Sequence, residues 1–304
     1  MAKGYTHLEG IDFIETISPV AKLTTVRLLL AIAVTKNWYL YQLDVDNAFL
    51  HGNLDEEVYM SLPLGLHIPK PSQVCRLTKS LYGLKQVSHQ WFVKLSSFLT
   101  SIGFVQSKYD HSLFTKESLN TFTILLVYVD DVILAGNSMN EIERIKTSLH
   151  RTFRIKDLGP LKYFMGFKVT RSSKGIHLCQ QKHALYILFE IGMLDCKPSQ
   201  ASIINNTKIL FDKVEPVKDH DSYKRLVGKL MYLTNSKPDI CYYVHLLSQF
   251  VQAPIIYHPP TAHHILDTSR QAQLEAFSLL APTTFKSRPS ATQIGPLAQT
   301  QDII

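Results

Sequence analysis

The amino-acid sequence predicts an α+β fold with an antiparallel sheet. The predicted elements run helix, strand, helix, hairpin, helix, without the regular strand–helix–strand alternation that builds a parallel sheet. The hairpin is the clearest element, because TFTILLVYVDDVILAGN places two runs of strand-forming residues on either side of an acidic reversal. With 304 residues, of which 45% are hydrophobic, the chain is long and apolar enough to bury a sizeable core.

Local patterns predict the elements before the hairpin. Thr25 to Lys36 is apolar enough for a buried helix, and Asn37 supplies its C-terminal stop. Tyr39 to Val45 is rich in aromatic and branched residues, which indicates a strand. A second helix is predicted around Trp91 to Leu99.

Helices are predicted to dominate after the hairpin. Ser138 followed by Glu141 resembles a capping box and marks the start of the first of them. Beyond about Val169 the pattern is helical, apart from a polar, loop-like stretch at 199–221. The helices predicted in this part are Lys182 to Gly192, Tyr223 to Asn235 and Ile240 to Val251.

Composition narrows the classes of function. The formal net charge of +7 favours a polyanionic partner. The four cysteines form no CxxC pair, which argues against a zinc ribbon or a disulfide framework and favours a reducing compartment. The N-terminus has no apolar core of a signal peptide, and Asp130 and Asp131 interrupt the longest apolar run, so neither secretion nor a membrane span is expected.

Acidic residues end two of the predicted strands. Asp44 ends the strand YLYQLDV, and Asp130 and Asp131 occupy the tip of the YVDD hairpin. Acids are depleted inside strands, and acids at neighbouring strand ends can converge on one point. Such carboxylates can hold two magnesium ions about 4 Å apart for in-line phosphoryl transfer. The alternative is ordinary turn chemistry, in which an Asp-Asp pair only favours the reversal.

Four motifs in order decide between these readings. LDVDNAFLHGNLDEEVYM, SLYGLKQ, LLVYVDDVILAG and DLGPLKYFMGFKV resemble successive motifs of copia-type retrotransposon reverse transcriptases, and the resemblance extends to about Leu266. It implies a right-hand polymerase palm, with a ferredoxin-like antiparallel sheet, followed by a helical thumb-like region. It also implies an RNA-directed DNA polymerase that uses two Mg²⁺ ions, or Mn²⁺ in their place, with deoxynucleoside triphosphates and an RNA or DNA template-primer as partners.

The resemblance assigns roles by position. Asp44, Asp130 and Asp131 are the implied catalytic residues and metal ligands. Phe49 stands where the family has an aromatic gate against ribonucleotides, although a core aromatic is the simpler alternative. The other implied contacts are nucleotide or template binding by Gly83, Lys85 and Gln86, and a primer grip formed by Tyr163, Phe164, Met165 and Gly166. His89 stands where relatives carry an arginine.

Both ends depart from the family pattern. Met1 replaces the residue before AKGY, so the basic fingers segment is expected to be missing and primer extension to be poor. In one shifted frame, LDTSRQAQLEAF can encode RYIKASPARGL and ATQIGPLAQTQD can encode DSDWAACPDTR. The family continues approximately RYIKGSPGQGLFF and SDSDWAACPDTRRS at these places, which predicts a frameshift near Leu266. The predicted domains are therefore a palm with partial fingers at 1–170, a thumb or connection region at 171–266, and a foreign tail at 267–304 that packs on nothing.

Two functions follow as alternatives. The first is a reverse transcriptase domain, truncated at the fingers and before RNase H. The second is a catalytically inactive retrotransposon remnant that at most binds nucleic acid. The family implies a place in a cytoplasmic virus-like particle or in the nucleus.

Overall fold

A computed structural model describes residues 4–62, 65, 73–172, 175–194, 215–271 and 277–280. The predicted tail beyond residue 280 and most of the loop-like stretch at 199–221 lie outside these residues.

The described strands fall into three antiparallel groups. In chain order they are β1 (Tyr39–Val45), β2 (Asn53–Ser61), β3 (Val74–Lys79), β4 (Val105–Gln106), β5 (Leu113–Ser118), β6 (Thr121–Tyr128), β7 (Asp131–Gly136), β8 (Ile155–Pro160), β9 (Tyr163–Phe164), β10 (Phe167–Ser172), β11 (Gly175–Cys179) and β12 (Phe277–Leu280). The first sheet has the order β4-β5-β6-β7-β1-β8, the second β12-β11-β10-β9, and β2 pairs with β3 alone.

Helices pack around and beyond these sheets. They are α1 (Leu23–Thr35), α2 (Val87–Ser101), α3 (Met139–Phe153), α4 (Gln181–Glu190), α5 (His220–Leu233), α6 (Cys241–Ser248) and α7 (His258–Gln271). None of the helices in the described residues is long and apolar enough to cross a membrane.

The six-stranded sheet is buried on both faces. One face packs on α2 and α3 through a core that contains Leu43, Trp91 and Phe153. The other face packs on α1 and the second sheet, through residues such as Leu30 and Ile133. Helices α4, α5, α6 and α7 form a separate core. The mixed α and β fold with antiparallel sheets, predicted from the order of the elements, is confirmed.

The strongly patterned elements are predicted well. Strand β1 has the predicted bounds, and β6 and β7 form the predicted hairpin. The Ser138 hydroxyl accepts a hydrogen bond from the Glu141 amide at the start of α3, as the capping box predicts. The Glu141 carboxylate does not complete the box, because it pairs with Lys116 at 2.9 Å and with Arg144.

The second sheet is the part that the sequence pattern did not predict. The predicted boundary at residue 170 falls inside β10, which pairs with β11 from Lys168 opposite Cys179 to Ser172 opposite Gly175. Both strands are short, and polar residues fill one face of β10, so no long apolar run marks them. The division into domains remains a prediction.

The expectation that residues 267–304 pack on nothing is wrong for one short piece. Strand β12 pairs with β11, from Gly175 opposite Leu280 to Leu178 opposite Phe277. The physical reason is that the outer edge of β11 offers unpaired amide and carbonyl groups, which an extended segment of almost any sequence can satisfy.

Asp110 ties the start of α1 to the loop before β5. Its carboxylate accepts hydrogen bonds from the Lys22 amide, the Thr25 hydroxyl and both the amide and the hydroxyl of Ser112. Burial alone raises the pKa of Asp110, but the hydrogen bonds from Ser112 and Thr25 outweigh burial and hold the pKa below the usual carboxyl range. The ionised form therefore stabilises the fold.

We predict that Asp110→Asn lowers the free energy of unfolding by about 2 kcal/mol at neutral pH, because charged hydrogen bonds are lost. A carboxyl group with a depressed pKa in the folded state stabilises above its unfolded pKa of about 4 and loses this effect as the pH falls through the folded value. Urea unfolding from neutral pH down to acid should show the difference between the two proteins shrinking in that window. Asp55→Asn, at an exposed position of β2, is the control, and an equal effect of both substitutions would contradict the assignment.

Candidate active site

A two-residue connection joins β6 to β7. It consists of Val129 and Asp130, and only Val129 has a positive φ, of 60°. A positive φ at the first position alone is the pattern of a type II′ hairpin turn, which favours glycine there. A branched residue such as valine in this conformation is strained by about 1–3 kcal/mol. Strain of this kind is typical of functional sites.

Strand pairing brings Asp44 to this turn. Asp44 lies opposite Asp131 on β7 and opposite Lys156 on β8, so three charged positions stand side by side across the sheet. The amide of Val45 donates to the Asp130 carbonyl at 3.1 Å, which fixes the turn against the end of β1. The predicted convergence of the acids from the two strand ends is thus present in the fold.

The carboxylates interact electrostatically. Burial raises the pKa of Asp44 above its usual range, and the charges of Asp130 and Asp46 raise it further, against a lowering by Lys156. Burial also raises the pKa of Asp131, with contributions from Asp130 and Asp44, while a hydrogen bond from Gln42 at 3.1 Å opposes the rise. Crowded carboxylates with raised pKa values lower their free energy when they bind a cation.

The donor set fits a cation site built mainly on two residues. Asp44 and Asp130 present carboxylate oxygens, the ligands that magnesium and manganese prefer. Asp131 has one oxygen occupied by the Gln42 amide. Within the described ranges, no group of three or more His, Cys, Asp or Glu side chains is already arranged to hold a metal ion. The metal-ligand set of Asp44, Asp130 and Asp131 therefore stays a prediction, in which Asp131 has the weakest claim.

Comparison with known proteins assigns the chain to a family. Residues 1–205 match the family model described as reverse transcriptase (RNA-dependent DNA polymerase). The chain belongs to this reverse transcriptase family. The region of the match includes both strand-end acids and the YVDD turn, so the family assignment covers the candidate site.

Its relatives confirm the copia-type resemblance. The Pol polyprotein from transposon RE1 of Arabidopsis thaliana is 40% identical over 87% of this chain, and that from transposon TNT 1-94 of Nicotiana tabacum is 37% identical over 84%. The chain spans 18% and 20% of these two polyproteins. The putative transposon Ty5-1 protein of Saccharomyces cerevisiae is 33% identical, and the match covers 74% of each chain.

Phe49 lies close to the site in this reverse transcriptase chain but is already in contact with protein. It belongs to the short helical turn Ala48–His51, directly after the loop that follows β1. Its half-buried ring packs against core residues and meets the Tyr82 ring edge-on, with centroids 5.3 Å apart. Both the gate role and the core role fit this position, and the gate role stays a prediction.

The SLYGLKQ segment is occupied by another part of the chain. The Gly83 carbonyl accepts from the Gly4 amide, the Lys85 ammonium donates to the His7 carbonyl at 3.0 Å, and the Gln86 amide donates to the Asp12 carbonyl at 3.1 Å. Residues 4–17, which we call the N-terminal strap, thus lie along the predicted nucleotide-binding residues.

The predicted nucleotide-binding residues of this segment differ in burial. The Gln86 side chain is fully buried, which does not fit direct contact with a nucleotide. Gly83 has a φ of 102°, a conformation that favours glycine. His89, at the position where relatives carry arginine, also contacts the strap, through the Ile17 carbonyl at 3.1 Å and the Glu15 carboxylate at 3.2 Å. Holding the strap is therefore one structural role of this motif.

The predicted primer grip forms a tight hairpin between β9 and β10. Met165 and Gly166 both have positive φ, of 47° and 74°, and make the turn. Phe164 is buried and its ring meets the Tyr128 ring at 5.9 Å, which connects the hairpin to the YVDD turn. Tyr163 and Gly166 line a cavity of about 270 Å³ together with Lys168 and Lys182.

Tyr232 of α5 braces this hairpin. Its hydroxyl donates to the Met165 carbonyl, and its ring packs on His183 with centroids 4.9 Å apart. Burial raises the pKa of Tyr232, and the proximity of Tyr128 contributes to the rise. The helical region and the hairpin therefore meet at Tyr232, and Phe164 of the same hairpin contacts Tyr128. The sequence patterns assign Tyr232 no role, because its partner is a backbone carbonyl.

We predict that Gly166→Ala destabilises the fold more than Gly192→Ala. Both glycines have a similar positive φ, so alanine costs about 1–2 kcal/mol at each. A Cβ at Gly166 would lie 2.6 Å from the Tyr232 hydroxyl, whereas a Cβ at Gly192 meets nothing within 4 Å.

Denaturant unfolding of the two alanine variants measures the difference. Combining Gly166→Ala with Tyr232→Phe should recover part of the extra loss, because the substitution removes the clashing oxygen. Equal losses at both glycines, or no recovery in the double variant, would show that the brace does not exist.

Proposed function

We propose that this chain forms the palm and thumb-like part of an RNA-directed DNA polymerase, with Asp44 and Asp130 as its catalytic carboxylates. The observation that carries the proposal is the convergence of Asp44 on the YVDD turn, through the pairing of β1 with β7. The six-stranded sheet with α2 and α3 corresponds to the palm, and the core of α4 to α7 corresponds to the thumb-like region.

The reaction is the addition of a deoxynucleotide to a primer 3′-hydroxyl. Divalent ions are general in reverse transcriptases, and two Mg²⁺ ions held by Asp44 and Asp130 would polarise the reacting phosphate and its attacking and leaving oxygens. The protein's own contribution is positional. The strained turn fixes Asp130, strand β1 fixes Asp44, and the Gln42 hydrogen bond restrains Asp131 beside them.

The neighbouring elements supply the remaining parts of the proposal. The hairpin of Tyr163 to Gly166 would hold the primer end, because it packs directly on Tyr128 of the catalytic turn. The exposed ammonium groups of Lys168 and Lys182 flank it and can neutralise primer phosphates. Phe49, on the loop side of β1, would lie near the sugar of the incoming nucleotide.

A second candidate function is nucleic-acid binding without catalysis. One observation favours it: the strap contacts the predicted nucleotide-binding motif at Lys85 and Gln86. The two candidates differ in catalysis and share the basic surface near the hairpin.

We predict that nucleotide incorporation depends on Asp44 and Asp130. Primer extension by the purified chain on an RNA template, with Mg²⁺ or Mn²⁺, should fall by about a hundredfold or more in Asp44→Asn and in Asp130→Asn. The melting temperature of both variants should stay the same or rise, because each substitution removes one of several repelling carboxylates. Asp55→Asn serves as the matched control. Incorporation that survives in the Asp130 variant contradicts the proposal, and its absence from the unchanged chain favours the second candidate.

We also predict that template-primer binding depends steeply on salt. The logarithm of the binding constant should fall linearly with the logarithm of the salt concentration, and Lys182→Gln should reduce the slope by about 1 if that ammonium contacts one phosphate. Lys108→Gln, in the loop after the edge strand β4, should leave the slope unchanged. Fluorescence anisotropy with a labelled template-primer measures both. Equal slopes for Lys182→Gln and the unchanged chain would remove Lys182 from the interface.

A further inference from the structure

Trp91 contacts the YVDD turn from the face of the sheet that packs on α2. It lies on α2, 1% exposed, and its indole N–H donates to the Val129 carbonyl at 2.8 Å. Val129 is the residue of the YVDD turn with the strained backbone, at a φ of 60°. Among the described residues, Trp91 makes the only side-chain hydrogen bond to a backbone carbonyl of Val129 or Asp130. The bond is made to Val129, the residue with the strained backbone.

The indole is itself held in place. Its ring meets the Phe153 ring perpendicularly with centroids 5.2 Å apart, and the His51 ring lies 5.8 Å away. Phe153 ends α3, and His51 belongs to the turn that follows β1. Contacts from two other elements thus fix the direction of the N–H group. A donor so constrained can hold a backbone conformation that valine alone would leave.

We propose that Trp91 is a positioning residue for the candidate metal site: its indole holds the Val129–Asp130 peptide so that the Asp130 carboxylate faces Asp44. The inference rests on the proposed function. It goes beyond that function because it assigns the geometry of the site to a residue outside the acidic motif. Strand pairing on both sides of the turn fixes Tyr128 and Asp131, but only the contacts of Val129 and Asp130 fix the peptide between them.

The substitution Trp91→Phe removes the N–H group and keeps an aromatic ring. We expect the purified full-length variant to bind Mn²⁺ about fivefold more weakly, the effect of one lost hydrogen bond. The electron paramagnetic resonance signal of free Mn²⁺ measures the affinity. Trp38→Phe is the matched control, because Trp38 is the other tryptophan and packs on Phe122 away from the turn.

A second substitution separates positioning from simple packing. Val129→Gly removes the backbone strain, because glycine adopts a positive φ freely. The double variant Trp91→Phe/Val129→Gly should therefore bind Mn²⁺ within about twofold of Val129→Gly alone. A purely structural role of Trp91 would instead give the same fivefold loss in both backgrounds, and that result would overturn the proposal. Unchanged Mn²⁺ affinity in Trp91→Phe would overturn it as well.

A spectroscopic test needs no change at Trp91. In Trp38→Phe, Trp91 is the only tryptophan, so Tb³⁺ bound at the site should emit when the indole is excited. Asp130→Asn in the same background should abolish this emission, and emission that persists in that variant would contradict the site. If the unchanged chain binds Mn²⁺ no better than Asp130→Asn, the metal site of the proposed function fails and Trp91 has no site to position. If Asp130→Asn weakens binding and Trp91→Phe does not, only the positioning role fails.

Discussion

The register between β1 and β7 is the constraint on which the candidate site depends. Leu43 and Val45 point into the core with α2 and α3, so the alternate residues Gln42 and Asp44 must occupy the opposite face. A slip of one residue would turn Asp44 into the apolar core, at a cost of several kcal/mol for the buried charge. The apolar residues of β1 thus determine where the carboxylate stands. The position of the Asp44 carboxylate is well defined because the apolar core on the other face of β1 permits only one register.

Sequence patterns predict the parts of this molecule that carry strong local signals. The strand at Tyr39–Val45 and the hairpin around the YVDD turn are long, apolar and bounded, and the acids at their ends stand out because strands seldom contain them. The second sheet gives no such signal, since β9 has two residues and β11 is completed by a strand almost a hundred residues later along the chain. Trp91 and Tyr232 also escape prediction. Both donate to backbone carbonyls, and a backbone acceptor leaves no mark in the sequence.

The SLYGLKQ segment shows that one family motif can have a structural role beside the functional role predicted for it. Its glycine, lysine and glutamine all contact the N-terminal strap, and the glutamine is fully buried. Residues tied to a neighbouring segment gain order from it, so the strap and the motif form one structural unit. A substitution at Gln86 would then act on the predicted nucleotide-binding residues through the backbone at Asp12, and not by removing a ligand. His89, in the first turn of α2, adds further contacts to the strap through Glu15 and Ile17.

The pairing of β12 with β11 has a consequence for how this gene can change. Main-chain hydrogen bonds recognise an extended backbone and take little account of which side chains it carries. The sequence after residue 266 can therefore change widely, or be read in another frame, and an extended segment can still pair with the edge of β11. Side-chain identity therefore constrains the two sides of that junction unequally. Upstream of it, Asp44 and its apolar neighbours on β1 decide whether the carboxylates meet, whereas the pairing of β12 with β11 requires only an extended backbone.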